Sequence, residues 1–126
     1  EAERTESGLY YSFLDETSGE KPSVGDTVRV HYVGKLMDGT VFDTSYEDVA
    51  READLYNEGR PYQPIEIPIG KGRVIRGWDE GIMLLNEGSK ATLFIPSGLA
   101  YGPRAAGAKI PANSSLIFEV ELVEVK

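Results

Sequence analysis

From Thr27 to Leu36 apolar and polar residues alternate. Val28, Val30, Tyr32 and Leu36 share one side; Thr27, Arg29, His31 and Lys35 share the other. A side-chain period of two makes this a strand with one face in a core and one toward water. Asp38-Gly39 follows at once. Both residues tolerate positive φ, so the chain turns back and Val41-Phe42-Asp43 returns beside it. A two-faced strand of this length needs further strands beside it and apolar cover on its inner face. The sequence supplies both. Leu9 to Leu14 is short and aromatic. Ile65 to Ile69 alternates, with Pro68 lacking the N–H of an interior position and so predicting an edge or a bulge. Ala91, Leu93 and Ile95 share a face, as do Phe118, Val120 and Leu122 of a last strand over Leu116 to Val125.

Two segments change period. Ser45 and Asp48 have capping-box spacing, and Val49, Ala53 and Tyr56 recur helically. This predicts a short surface helix ending near Asn57-Glu58-Gly59, with Pro61 and Pro64 barring continuation. Trp78, Ile82 and Leu85 lie on one face of a second helix, with Gly88 as the residue just past its end. Gly77 and Gly81 each weaken a helix by about 1 kcal/mol relative to Ala, which implies a close backbone approach. The order predicts an α+β domain: a curved antiparallel β-sheet wrapped around one short α-helix, with an extra short helix in an insert. Residues 1–22 read as an N-terminal extension, loose over 1–8, with an added strand; residues 23–126 form the domain proper.

Composition narrows function by exclusion. The 126 residues carry 13 basic and 21 acidic side chains, a net charge of −8. That opposes phosphate-directed nucleic-acid binding and docking on anionic membranes. With no cysteine, disulfides, zinc thiolates, iron–sulfur clusters and thiol nucleophiles are excluded, and redox compartment is unreadable. One histidine, His31, leaves no multi-histidine metal site. No apolar run approaches the ~20 residues of a membrane helix. A start at Glu1 reads as a piece of a longer precursor.

Familiar catalytic signatures are missing. There is no phosphate loop, no dinucleotide fingerprint and no zinc-protease helix motif. Gly70-Lys71-Gly72 reads as a turn. His31 has no visible triad partners, and Asp79/Glu80 and Glu119/Glu121 read as solvated faces. What stands out is a set of aromatics near loops and strand ends: Tyr32, Phe42, Trp78, Tyr101 and Phe118. Composition alone makes them core packing. The loop from Ser97 to Asn113 is long enough to be functional.

Five blocks give the set a different meaning. Val30-His31-Tyr32-Val33-Gly34, Asp38 to Ser45, Val74-Ile75-Arg76-Gly77-Trp78-Asp79-Glu80-Gly81, Pro96 to Gly102 and Ile110 to Phe118 occur in this order. Together they resemble the signature of FKBP-type peptidyl-prolyl cis–trans isomerases, over roughly Ser23 to Lys126. The resemblance implies an isomerase acting on X–Pro bonds of proline-containing polypeptides, with no cofactor and with binding of macrolides such as rapamycin. It implies that Trp78 floors a proline pocket and that Tyr32, Phe42, Val74, Ile75 and Phe118 line it. Asp43 would be a buried polar group bonded to the Tyr32 hydroxyl. The Ile75 N–H and Tyr101 hydroxyl would hold substrate carbonyls, and Ile110 would close one side.

Departures from the short family members are local. The stretch from Asp43 to Ile65 is longer, and either Arg51 or Arg60 is the partner for Asp43. Ile65 and Ile67 stand at two pocket positions, Ile67 being the wall residue, while Tyr62 is a further aromatic nearby. Arg104-Ala105-Ala106-Gly107 departs from a glycine-richer loop. The insert and acidic surface resemble bacterial envelope members, favouring periplasm or cell envelope over cytoplasm. The alternatives to catalysis are a module that holds proline-containing segments without turnover, and a structural β-domain.

Overall fold

A computed structural model describes residues 2–104 and 109–126. Its elements, in chain order, are β1 (Glu3–Arg4), β2 (Tyr10–Asp15), β3 (Thr27–Leu36), β4 (Val41–Thr44), α1 (Glu47–Glu52), β5 (Ile65–Pro68), α2 (Arg76–Ile82), β6 (Lys90–Ile95) and β7 (Leu116–Val125). Among the described residues these seven strands form one antiparallel sheet in the order β1-β2-β6-β7-β3-β4, with β5 also on β3. Register shifts at Phe13/Asp15, Gly34/Lys35 and Arg29/Val30 interrupt the ladders. Such bulges bend and twist strands, and here they help curve the sheet around α2.

The central strand β3 has the alternation expected of it, with Val28, Val30 and Tyr32 buried. One side of β3 pairs with β7 along its whole length. The other side is divided. β5 pairs with Thr27 to Val30, and β4 with Val33 to Lys35. Tyr32 falls at the fork. Its backbone N–H donates to Ser45 Oγ at 2.7 Å, and its C=O accepts from the Ser45 N–H at 3.0 Å and Thr44 Oγ1 at 2.9 Å. Buried Thr44 and Ser45 thus replace the missing ladder partners.

Helix α2 buries Gly77, Trp78, Gly81 and Ile82 against the sheet. A Cβ on Gly77 would lie 2.5 Å from Ile95 Cγ2, and one on Gly81 2.8 Å from Leu93 Cδ1. The two glycines are therefore contact residues, as their helix-weakening cost implied. Leu93, Ile95, Leu116 and Leu122 complete the core floor; each such buried side chain contributes roughly 1.5–3 kcal/mol.

Four local expectations need correction. Ser45 does not cap α1: its hydroxyl is taken by the Tyr32 N–H, and the helix starts after Tyr46 without a side-chain cap. Helix α1 spans only Glu47–Glu52 and buries Ala50; Asp54, at φ 61°, takes the chain out of helix well before Asn57. Gly88 is not the residue after α2, which stops at Ile82; Gly88 instead turns into β6, its N–H on the Leu122 carbonyl at 2.6 Å. Residues 1–8 are not uniformly loose, because Glu3 and Arg4 pair with Tyr11 and Tyr10. Beyond them, Thr17 ties the extension to the turn before β6 through Ser89 Oγ at 2.9 Å and the Glu87 carbonyl at 2.6 Å.

Gly77→Ala should lower the unfolding free energy by about 1–3 kcal/mol through overpacking, read as a lower urea midpoint at unchanged slope, despite alanine's better helix propensity. Gly98→Ala, where nothing lies within 4 Å of the new methyl, should stay within about 0.5 kcal/mol of wild type. Equal stability of the two variants would refute the close-approach reading.

Candidate active site

The fork in the sheet opens onto a cleft of about 440 Å³. Tyr32 from β3, Phe42 and Asp43 from β4, Ile65 from β5 and Phe118 from β7 line one part of it. Gly72 to Ile75, Trp78 and Tyr101 line the rest. Trp78 is only 4% exposed yet borders the opening, so it forms the base and is not sealed beneath other side chains.

The rings brace one another at right angles. Trp78 meets Tyr32 edge-on at 5.2 Å and 77°, and Phe118 at 5.3 Å and 85°. Phe42 meets Phe118 at 5.6 Å and 89°. Edge-to-face pairs contribute about 0.5–1.5 kcal/mol beyond their buried area and fix ring orientation. The Trp78 indole nitrogen is buried without a hydrogen-bond partner among the described residues. The base of the cleft is therefore an indole held by rings, with one unspent donor.

One wall is polar. The Tyr32 hydroxyl donates to Asp43 Oδ2 at 2.6 Å. Arg60 donates from Nη1 to Asp43 Oδ1 at 2.8 Å and from Nη2 to the Tyr32 oxygen at 3.2 Å. The Thr44 N–H adds 2.8 Å to Oδ1. Burial first, then the hydrogen bond and charge of Asp43, push the Tyr32 hydroxyl well above its ordinary range, with Arg60 opposing. It stays a neutral donor at any ordinary pH. Of the two candidate arginines, Arg60 meets Asp43; Arg51 bonds Glu47 at 3.0 Å within α1. Asp43 is not buried: its side chain is 41% exposed, because β4 is the sheet edge.

Two polar groups border the cleft beside this wall. Ile75 caps α2, its C=O accepting from Trp78 at 2.9 Å and Asp79 at 3.1 Å, while its N–H has no partner among the described residues. The Tyr101 hydroxyl also has no partner among them, and the residue is 42% exposed.

Other residues fall elsewhere than the sequence suggested. Ile67 does not line the cleft; Ile65 does. Both face the same way on β5, but Ile67 pairs with Val28, one side-chain repeat of about 6.6 Å farther from the fork. Ile110 is buried in the core cluster and does not line the cleft among the described residues. Of the altered loop, Ala105 to Gly107 lies outside the described residues. Tyr62 is not in the cleft either; it stacks on Tyr56. His31 faces away, its Nδ1 2.8 Å from Ser45 Oγ and its ring stacked on Tyr46 at 4.3 Å. Burial lowers its pKa; Glu121 opposes this and Arg29 adds to it.

The residue most underread in the sequence is Asp79. Its carboxylate accepts the Gly70 and Gly72 N–H groups, each at 2.8 Å. Both glycines have positive φ, at 79° and 72°. The turn thus cradles an anion, one supplied by the protein's own helix, and so fixes the chain leading to Val74 and Ile75. The only signal was Asp79 lying one residue after Trp78 on the helix that follows the glycine turn.

Comparison with known proteins agrees with this geometry. The family model described as FKBP-type peptidyl-prolyl cis-trans isomerase matches residues 18–123. "FK506-binding protein 2" of Yarrowia lipolytica is 48% identical over 94% of this chain and 73% of its own length. The FKBP-type 22 kDa peptidyl-prolyl cis-trans isomerase of Escherichia coli is 49% identical over 96% of this chain, which spans 52% of that protein. The crystal structure of AtFKBP13 superposes with a TM-score of 0.84 at 36% identity, covering 100% of this chain and 99% of the other. FkpA from Escherichia coli gives 0.81 at 38% identity, over 99% of this chain and 51% of that one. With its sheet wrapped on α2, its aromatic cleft at the fork and this shared sequence, the chain belongs to the FKBP-type peptidyl-prolyl cis–trans isomerases.

Proposed function

We propose that this chain speeds rotation about X–Pro bonds by seating the proline ring on Trp78 between Tyr32, Phe42, Val74, Ile75 and Phe118. The observation that carries the reading is an open aromatic cleft with the indole at its base and one polar wall. The uncatalysed barrier is about 18–20 kcal/mol, because resonance gives the C–N bond double-bond character. At the twisted midpoint that resonance is lost, together with the charge separation that water solvates. A water-poor, apolar site therefore favours the twisted amide over the planar one. No covalent intermediate is needed. The Ile75 N–H and the Tyr101 hydroxyl hold the flanking carbonyls, and Asp43 with Tyr32 faces the turning amide.

The cleft also fits a macrolide that imitates a prolyl amide. The Yarrowia relative is named for binding FK506; rapamycin is the corresponding ligand proposed here. A further relative is the "Outer membrane protein MIP" of Legionella longbeachae, 40% identical over 95% of this chain. That likeness supports an envelope location. No helix of the described residues is long and apolar enough to cross a membrane.

The protein should accelerate cis-to-trans conversion of a short X-Pro-Phe peptide. Phe42→Ala should cost about tenfold or more in kcat/KM, since positioning contacts of this kind carry such factors, with the fold retained by circular dichroism. A wild-type rate no faster than buffer, with the peptide still bound, would favour a holding module over an enzyme.

No proton is transferred in this scheme, and Tyr32 stays protonated. The rate should therefore vary by less than about twofold between about pH 6 and about pH 9. A bell-shaped profile would demand an acid or base that the scheme lacks.

Trp78 is the sole tryptophan. Rapamycin should change its fluorescence saturably, and the peptide should compete. An unchanged spectrum at saturating rapamycin would rule out the indole as the floor. For location, the domain should appear in the envelope fraction of the source cells; recovery in the cytosol alone would overturn that assignment.

A further inference from the structure

Arg60 reaches the polar wall from the insert between β4 and β5, and its side chain is about one-third exposed. An exposed ion pair is screened by water and must order a long side chain, so by itself it holds a guanidinium loosely. Here the guanidinium has a second support. Its Cζ lies 5.0 Å from the centre of the Tyr62 ring, within the ~6 Å range of cation–π attraction. That attraction acts on the cation as a whole and does not compete for the N–H groups that Arg60 gives to Asp43 and Tyr32.

Tyr62 is itself held from two sides. Its ring stacks on Tyr56 at 5.6 Å and 18°, and its hydroxyl oxygen accepts the Asn57 N–H at 3.0 Å. Tyr56 in turn lies 3.7 Å beneath the Arg51 guanidinium, which Glu47 fixes at 3.0 Å on α1. The backbone between them is a closed turn, with Arg60 N–H on the Asn57 carbonyl at 3.1 Å and Gly59 N–H on Asn57 Oδ1 at 2.9 Å. Tyr56 is 38% exposed and neither tyrosine belongs to the core cluster. Core burial thus does not explain the stack. Its inner end is the arginine on the proposed catalytic wall.

We propose that Tyr62, seated on Tyr56, is a positioning residue for isomerisation: it orients Arg60 so that Asp43 and Tyr32 keep one geometry toward the substrate amide. The insert is then part of the active site's scaffold, reaching the chemistry through a ladder from Arg51 to Asp43. The inference rests on the isomerase reading of the cleft.

The test uses Tyr62→Leu, Tyr62→Phe, Arg60→Ala and the double variant Tyr62→Leu/Arg60→Ala. Tyr62→Leu should lower kcat/KM by about tenfold, chiefly through kcat, because small displacements of positioned groups carry such factors. Tyr62→Phe keeps the ring and should stay within about twofold of wild type. In the Arg60→Ala background Tyr62→Leu should cause no further loss. A folded Tyr62→Leu protein with wild-type kinetics, or full additivity in the double variant, would overturn the proposal.

A second readout does not need turnover. In ¹⁵N-edited spectra the clamped Arg60 Nη groups should be distinct in wild type and Tyr62→Phe, and should merge in Tyr62→Leu as the guanidinium rotates freely. Unchanged Arg60 signals in Tyr62→Leu would overturn the ladder even in an active enzyme. Merging signals in a protein that shows no isomerisation at all would preserve the ladder and remove the isomerase reading instead.

Discussion

The site depends on how closely α2 can approach β6. Gly77 and Gly81 present bare backbone where Ile95 and Leu93 come within distances that a methyl could not share. That contact sets the depth of Trp78, one residue from Gly77 and three from Gly81. A helix held farther off would lift the indole away from Tyr32 and Phe118, and its edge-on packing with both rings would open. The cost of two glycines in a seven-residue helix is offset by this packing.

The second constraint is the divided edge of β3. Where β4 ends and β5 has not begun, no strand covers Tyr32, and the cleft occupies that gap. The exposed backbone there is satisfied by Thr44 and Ser45, so the opening costs no orphaned peptide groups at Tyr32. The chain that leaves the gap, residues 45–64, returns with Arg60 against Asp43. One interruption of the sheet thus yields the opening, one wall and the insert that braces it.

Much of the frame was legible because its signals are local. β3 and β7 were read with the bounds found, since alternation along a two-faced strand repeats at every step. The close approach at Gly77 and Gly81 was legible as a local cost without a local benefit. The ends of helices were less so. Ser45 has good capping chemistry, but a buried N–H on another strand claimed its hydroxyl, and Gly88 turns the chain for β6, not for α2. Within the site, the resemblance could bring the aromatic residues together, but it did not choose between Arg51 and Arg60, and it put Ile67 in the wall where Ile65 stands. Each choice turns on which residue lies nearer the fork.

The sequence by itself determined the periods: which segments are strands, which face of each is apolar, where a helix must lie close, and that charge and composition leave no metal-thiolate or thiol chemistry. Tertiary structure alone decided the pairings across 17 residues for Asp43 with Arg60 and 9 residues for Asp79 with Gly70. Periodicity is carried by neighbours in the chain. A hydrogen bond between distant residues depends on where the folded backbone sets both ends, and no local pattern encodes that distance.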